Sequence, residues 1–466
     1  MAISGIEEAV LKLIKPSREE YEHVLGVYRV IADAIKTVLS QHGVEAEVTL
    51  QGSIAHDTWL SGDRDMDVFV LYPESWSIEE LKSKGFKLVV EAAEKLGRYE
   101  LRYAEHPYVR VRISDVEADI VPAFNISDPT RIRTAVDRTP FHTRYIRERL
   151  TDEMRDQVRL LKKFMKGIGV YGAEVKTKGF SGYAVEVLIA RYNSMRMVLE
   201  EASKWSPPVY IDSISVDESF WKGFRRKYPD SVIFMPDPVD PMRNVTANVS
   251  VKSLAIFSLA SRCYLTHPSP VFYGLEYEGP SIDDVKKKLA DRCIVIVEYM
   301  LEERLPPDVV WGELNRVRDT MVKLLENFDF HVIDSSSWTD EDRYCAILLE
   351  LDSCGLPVYK HYKGPSVKHW ERSHSFISKH LGKGIGVWID EKGFLNALSP
   401  RRYINVKQIL EEGSQGYSVA PHFKDIKPSV KALSEEVIAE LSGRGALRWV
   451  SEFILKTPIW MAKCIS

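Results

Sequence analysis

Asp65 and Asp67 stand two residues apart in the run Asp65-Met66-Asp67-Val68-Phe69, alternating with apolar neighbours. An extended strand sends residues two apart to the same face, so both carboxylates point the same way. Like charges that close raise one another's pKa and cost free energy unless a cation lies between them. A divalent metal is the chemistry the pair suits. Gly52-Ser53 lies upstream, between a strand-like alternation over 44–50 and a segment, 54–60, able to form one or two helical turns. Backbone N–H groups and a hydroxyl at such a turn suit a phosphate. Alone, Gly52-Ser53 reads as a turn with an N-cap; joined to the acids after eleven intervening residues, it reads as a phosphate site. Asp119, one acid in the apolar strand Ala118-Asp119-Ile120-Val121-Pro122, is the third candidate ligand: a single acid at a strand edge is common, but the pair lacks a general base and Asp119 can supply it.

These acids need strands to aim them and helices to cover the strands. Ser17 with Glu20 three residues on forms a capping-box pattern, followed by apolar positions at three- and four-residue spacing. A helix is expected over 78–96 and an alternating strand over 108–113. Helices are expected over 154–165, 179–203 and 250–265, with a short strand at 232–235 inside a Pro-rich, irregular stretch. Gly167 to Gly172 spells G-x-G-x-x-G, but it follows a helical segment rather than a strand, so its glycines stop a helix instead of cradling a dinucleotide. From about 267 onward the pattern is helix (281–288), strand (293–300), helix (311–327) and two strands (328–334, 343–351). That order, without α/β repeats, predicts an α+β domain with an antiparallel sheet.

The chain has 466 residues, 45% of them hydrophobic, which allows two to four domains. A net charge of −4 carries no global nucleic-acid signature, so any such surface is local. Two local basic regions exist: 131–166, and 363–383, where Lys363, Lys368, His369, Trp370, Arg372, His374, Lys379 and His380 interleave aromatics with cations. A solvated face is the default for the first; an exposed helix with structural histidines competes for the second. The five cysteines are widely spaced with no C-x-x-C, so a reduced, cytoplasmic chain is expected. No apolar run approaches the length that spans a bilayer, so no membrane partner is expected.

The strand, Gly52-Ser53, the Asp65/Asp67 strand and the later Asp119 strand resemble the DNA polymerase beta type nucleotidyltransferase superfamily. Within it, Thr58-Trp59-Leu60, Phe141-His142-Thr143-Arg144-Tyr145, Arg159 to Lys162, Gly167 to Gly172, Gly179 to Tyr183 and Asp240-Pro241-Met242-Arg243-Asn244-Val245 resemble the archaeal, class I, CCA-adding enzymes. The resemblance covers nearly the whole chain. It implies a multidomain α+β protein: a nucleotidyltransferase head with a mixed sheet (1–148), a helical central neck (149–266) and a C-terminal tRNA-binding body and tail (267–466). It implies template-independent addition of C, C and A to the tRNA 3′ end from CTP and ATP by two-metal nucleotidyl transfer, with release of pyrophosphate. Asp65, Asp67 and Asp119 would be the catalytic and metal-binding acids for two Mg²⁺ ions. Gly52, Ser53, His56, His142, Lys162, Tyr171 and Arg243 would contact nucleotide, and Arg243, Lys363, Lys368 and Arg372 the RNA. His56 departs from the Arg or Lys common in the family, and an imidazole is only partly protonated near neutral pH. The tail would grip the tRNA elbow while the acceptor stem enters the site; a homodimer stays open. A poly(A) polymerase or oligoadenylate synthetase shares the same head and is the nearest alternative. A non-catalytic RNA-binding module is a more distant one.

Overall fold

The computed structural model describes residues 5–103, 107–275, 282–412 and 420–465. They fall in two units, Met1–Tyr277 with Pro458–Ser466, and Glu278–Thr457. In the first, α1 (Gly5–Ile14) precedes α2 (Arg18–Gln41), whose capping box forms as its spacing predicts: Ser17 Oγ accepts from the Glu20 N–H and the Glu20 carboxylate accepts from the Ser17 N–H. Glu20 also accepts from Ser61 Oγ and the Gly62 N–H, so the start of α2 anchors the turn that leads into the acidic strand.

That strand lies inside a five-stranded sheet. Its members are β1 (Glu47–Gln51), β2 (Asp65–Pro73), β3 (Tyr99–Tyr103), β4 (Pro107–Ile113) and β5 (Val116–Asn125), in the order β1-β2-β5-β4-β3. β2 and β5 are parallel and every other pair is antiparallel. A short helix, α3 (Gly52–His56), follows β1 directly. The even-numbered side chains of β2, Met66, Val68 and Val70, are buried against Val24, Ile31, Ile35 and Val38 of α2 and Leu88, Val89 and Ala92 of α5 (Phe86–Leu96). Odd-numbered side chains therefore face the other way, with Asp67, Phe69 and Leu71 beside Asp119, Val121 and Ala123. The helix expected over 78–96 is interrupted: α4 (Ile78–Glu80) passes through a π-turn at Leu81–Gly85 before α5, and there the Tyr72 hydroxyl donates to the Gly85 carbonyl.

The rest of the unit is helical around a second core. It comprises β6 (Val209–Tyr210), β7 (Ile233–Phe234), α6 (Thr139–Arg149), α7 (Asp152–Gly167), α8 (Gly182–Tyr192), α9 (Met195–Ala202), α10 (Glu218–Lys227) and α11 (Val251–Thr266). The single helix expected over 179–203 is two, because Asn193 adopts a left-handed φ of 68° that closes α8 and Ser194 then N-caps α9. The strand expected at 232–235 shrinks to two residues. Gly167 ends α7 as expected; a Cβ there would lie 2.2 Å from the Phe272 carbonyl oxygen, so only glycine admits that crossing chain. The tail returns to this unit: Trp460 packs on Phe272, and Cys464 pairs with Cys263 of α11 at a Cα–Cα distance of 4.6 Å.

In the second unit β8 (Cys293–Met300), β9 (Val332–Thr339), β10 (Tyr344–Leu351) and β14 (Ser429–Ala432) form an antiparallel sheet, order β14-β8-β10-β9. β11 (Tyr359–Ser366), β12 (Gly386–Ile389) and β13 (Phe394–Pro400) form a smaller antiparallel sheet packed on α14 (Trp370–His380). Helices α12 (Ile282–Leu289), α13 (Pro307–Asn327), α15 (Val406–Glu412), α16 (Glu435–Gly443) and α17 (Leu447–Leu455) complete it. The strand expected at 328–334 runs later, over β9, and the expected helix start at 281 lies outside the described residues. The fold is thus mixed α+β with antiparallel C-terminal sheets. Cys293 pairs with Cys354 in this unit, so four of the five cysteines are bonded and the expected reduced chain is corrected. Sequence separations of 201 and 61 residues hid the pairing, which only the folded chain brings together.

Candidate active site

The β2–β5 register places Asp67 beside Asp119, with Asp65 two residues earlier on the same strand. Three carboxylates therefore share one sheet face, on two neighbouring interior strands. Burial, then the charges of Asp119 and Asp65, push the Asp67 carboxyl up to about 6. Arg110 on β4 grips Asp119 with two bonds, Nε to Oδ1 at 2.7 Å and Nη2 to Oδ2 at 2.8 Å, which fixes the plane of that carboxylate. Gly52 has φ +67°, and a Cβ there would lie 2.1 Å from Asp67 Oδ2. Only glycine lets the chain turn into α3 so close to the acid. Ser53 is the next residue of that turn.

The donor set fits Mg²⁺, which takes hard oxygen ligands and is commonly held by one or two carboxylates, with water and substrate phosphates completing its octahedron. Like charges crowded on one face are the arrangement such an ion relieves. Among the described residues no three His, Cys, Asp or Glu side chains close into a preformed metal cage. The acids thus form an open platform on the sheet face.

Behind this platform, α6 and α8 share a polar seam built on two buried carboxylates. Glu186 of α8, 2% exposed, receives His56 Nδ1 at 3.0 Å and the Thr58 hydroxyl, with Lys162 Nζ at 3.5 Å. Burial would raise its pKa, but the facing His56 and Lys162 charges outweigh that and lower it to about 2. His56 Nε2 meets Thr143 Oγ1 of α6 at 2.9 Å, so both ring nitrogens are occupied inside the fold, and a phosphate contact by His56 requires one of these bonds to be given up. Lys162 is likewise buried, donating to the Thr58 carbonyl and hydroxyl; desolvation pulls its ammonium below the ordinary range and Glu186 opposes this. Tyr171, next to the same lysine, has its phenol pushed up by burial and then by Glu186. Its hydroxyl lies 3.0 Å from the Cβ that Gly182 lacks.

Asp237 is the second buried carboxylate. It receives His142 Nε2 and Arg243 Nη1 at 2.8 Å each, and the Tyr183 hydroxyl at 2.9 Å. Burial opposes ionisation, yet the His142 bond and charge, the Val239 N–H and Arg243 hold the carboxyl down at about 2. The His142 ring stacks on Tyr183 with centroids 3.9 Å apart. Tyr183 and Glu186 are three residues apart on α8, so one helix face carries both clusters.

Most cations of the 131–166 segment are engaged within the fold. Arg131 pairs with Glu74, Arg138 with Asp240, Arg155 with Asp152 and Lys166 with Asp63. Arg159, 1% exposed, donates to the Trp59 and Asp57 carbonyls and pairs with Asp156. Arg144 and Arg147 are exposed on α6. In the second unit Lys363 on β11, Lys368 ahead of α14 and Arg372 on α14 are exposed, as is Trp370 at 71%. His380, by contrast, is buried with Nδ1 at 3.0 Å from Ser399 Oγ, a structural histidine.

Glu186 and Asp237 were not singled out from the sequence, and Thr58, Thr143 and Tyr183 entered only as parts of motifs, without a role at the site. Glu186 left a readable signal, one acid inside the apolar run Ala184-Val185-Glu186-Val187-Leu188. Asp237 left none, because its partners come from three separate segments.

Fold and site together define a nucleotidyltransferase: residues 32–142 match the family described as nucleotidyltransferase domain, and 156–274 match tRNA nucleotidyltransferase, second domain. Residues 291–432 match the CCA-adding enzyme, C-terminal domain. The chain is 39% identical over 457 residues to the CCA-adding enzyme of Sulfurisphaera tokodaii, covering 98% of this chain and 99% of that one. It is 36% identical over 456 residues to that of Saccharolobus solfataricus, covering 98% and 100%. The chain belongs to the archaeal CCA-adding enzymes, which are tRNA nucleotidyltransferases.

Proposed function

We propose that the protein adds C, C and A in turn to the 3′ end of tRNA from CTP and ATP, without a nucleic-acid template. The observation that supports this most is Asp67 and Asp119 side by side, with Asp65 on the same face and Gly52-Ser53 against them. The RNA 3′ oxygen attacks the α-phosphorus, the new P–O bond forms in line, and pyrophosphate leaves. Asp65 and Asp67 would hold one Mg²⁺ and, with Asp119, a second. When bound, the ions supply charge neutralisation on the phosphate oxygens and lower the pKa of the attacking hydroxyl.

The remaining work falls to the chain's own groups. Asp119, its plane fixed by Arg110, assists removal of the 3′-hydroxyl proton. Ser53 and neighbouring N–H groups hold the β and γ phosphates, and His142, Lys162 and Tyr171 complete the grip. His56 acts from inside the fold, coupling the end of α3 to Glu186 and Thr143. Arg243, 37% exposed and anchored at one nitrogen, meets the incoming base and the RNA end. The proposed catalytic head, 1–148, and helical neck, 149–266, draw on two separate cores, with Val10, Ile14, Leu60 and Ile146 of the head packed into the second. Lys363, Lys368 and Arg372, with exposed Trp370 among them, suit the phosphates and bases of the tRNA elbow. Among the described residues no helix is long and apolar enough to cross a membrane, and a tRNA substrate places the enzyme in the cytoplasm.

The test is ordered incorporation. Given tRNA ending at its discriminator base and one nucleotide at a time, the enzyme is expected to accept CTP first, stop after two additions, and only then accept ATP. Direct, continuing incorporation of ATP would favour a poly(A) polymerase instead.

A further inference from the structure

We propose that Asp237 is the positioning residue for base selection, acting through Arg243 and His142; this rests on the reading of Arg243 as the residue that meets the incoming base. Asp237 is fully buried and its carboxylate is saturated. Oδ1 accepts from the Tyr183 hydroxyl and the Val239 N–H, both at 2.9 Å, and Oδ2 from His142 Nε2 and Arg243 Nη1, both at 2.8 Å. A carboxylate has about four lone-pair sites. None remains for a nucleotide, so Asp237 works only by aiming other groups.

Its aim is fixed from the main chain as well. The Asp237 N–H donates to the Arg243 carbonyl at 2.9 Å and the Arg243 N–H to the Asp240 carbonyl at 2.8 Å, closing the 237–243 turn on itself. The base of that turn is pinned by buried Asn244, whose side chain accepts from the Met235 N–H and donates to the Ile233 carbonyl. Arg243 is thus held at its backbone and at one guanidinium nitrogen, with Nε and Nη2 making no hydrogen bond among the described residues and left to donate. On the other side, an ionised carboxylate only accepts, so His142 must carry its proton on Nε2. Its ring, stacked on Tyr183, presents Nδ1 as the nitrogen left for a ligand.

The chemistry of the bases makes such rigidity selective. Cytosine N3 and adenine N1 are lone-pair acceptors, whereas uracil N3 and guanine N1 carry hydrogen. A guanidinium N–H that cannot swing away pairs with the first two and meets another donor in the second two, and a polar group left facing the wrong partner is what discriminates strongly. Released from Asp237, the same arginine could turn to the carbonyl oxygens of uracil. A loss of fidelity, beyond a loss of affinity, is therefore the signature of this role.

The experiment measures steady-state incorporation of CTP, ATP, UTP and GTP on tRNA by the full-length enzyme and its D237N, R243A and D237N/R243A variants, with thermal melting to confirm folding. For D237N the expected result is a rise in nucleotide KM of about tenfold to a hundredfold, the size of a lost hydrogen bond to a charged group, with kcat nearly unchanged. UTP use relative to CTP should rise by a similar factor. In the R243A background D237N should add less than about threefold, because residues acting as one unit are not additive. Unchanged KM and unchanged UTP-to-CTP ratio in D237N, or effects that multiply in the double variant, would overturn the proposal. If R243A itself leaves base selection intact, the base-reading role of Arg243 falls, and the inference with it. If R243A is impaired and D237N is not, the inference falls alone. Should D237N fail to fold, the H142A and R243A pair reads the same link: a combined effect below the product of the single effects is expected, and a strict product overturns it.

Discussion

Two sets of acids in the first unit are built on opposite electrostatic terms. On the sheet face, Asp65, Asp67 and Asp119 crowd together, with Arg110 paired to Asp119, and burial and the neighbouring acids outweigh His56 and Arg110 so that Asp67 is pushed up to about 6. In the α6–α8 seam, Glu186 and Asp237 are more deeply buried, yet each faces one histidine and one long-chain cation and is held down at about 2. The difference separates groups that await a ligand from groups that hold the site in shape. A cluster left uncompensated gains its counter-charge from outside the chain, while a buried acid that must stay ionised brings its cations with it.

Removing an acid from either set is the sharpest way to break this contrast. Asp65→Ala, Asp67→Ala or Asp119→Ala is expected to cut nucleotide incorporation by about three orders of magnitude or more, as loss of a transition-state charge partner does. Near-normal turnover in any of the three would remove that residue from the catalytic set. Measured in chelator at neutral pH, Asp67→Asn should melt no lower than the parent and slightly higher. Its folded-state pKa is raised, so the ionised carboxylate weakens the fold and neutralising it relieves the repulsion.

Glu186→Ala should do the opposite. It strands Lys162 and His56 without their anion, and breaking a buried pair costs about 3–5 kcal/mol in unfolding free energy. Denaturant unfolding checks this, and a change of less than about 1 kcal/mol would show that the seam is not a strong determinant of stability.

The acid limb of stability is a gentler test. Glu186 and Asp237 have folded pKa values near about 2 against ordinary values of 4.5 and 3.8. Their contribution is full above the unfolded values and is lost as pH falls from there toward 2. Melting temperature should therefore drop over that window, and Glu186→Gln should flatten the drop. A slope identical to the parent's would contradict the pairing.

The smallest effect is expected in the second unit. Neutralising Lys363, Lys368 and Arg372 together should weaken binding of full tRNA more than of a minihelix without the elbow, and reduce the salt dependence by about one unit per lost phosphate contact. Filter binding across a salt series measures both; equal losses on the two RNAs would argue against an elbow surface.

Much of the head was legible because its signals are local. A two-residue period puts Asp65 and Asp67 on one face wherever the strand goes, the Ser17 and Glu20 pair specifies its own cap, and Gly52 announces a turn. The break of the 179–203 helix at Asn193 was less visible, since the apolar spacing of α8 continues into α9 and only a left-handed residue divides them. The basic 131–166 segment was less legible: a solvated face was its default reading, yet Arg131, Arg138, Arg155, Arg159 and Lys166 find acids in the fold, and composition does not say where a long side chain ends.

What the sequence determined alone was therefore the chemistry of the strand that carries Asp65 and Asp67, and the family to which its motifs point. What only the tertiary structure decided was which charges remain uncompensated: Asp67 meets Asp119 across 52 positions of chain, Glu186 meets His56 across 130, and Asp237 meets His142 across 95. Strand period and helix caps are set by neighbours along the chain, but the energy of a buried charge depends on partners that arrive from elsewhere.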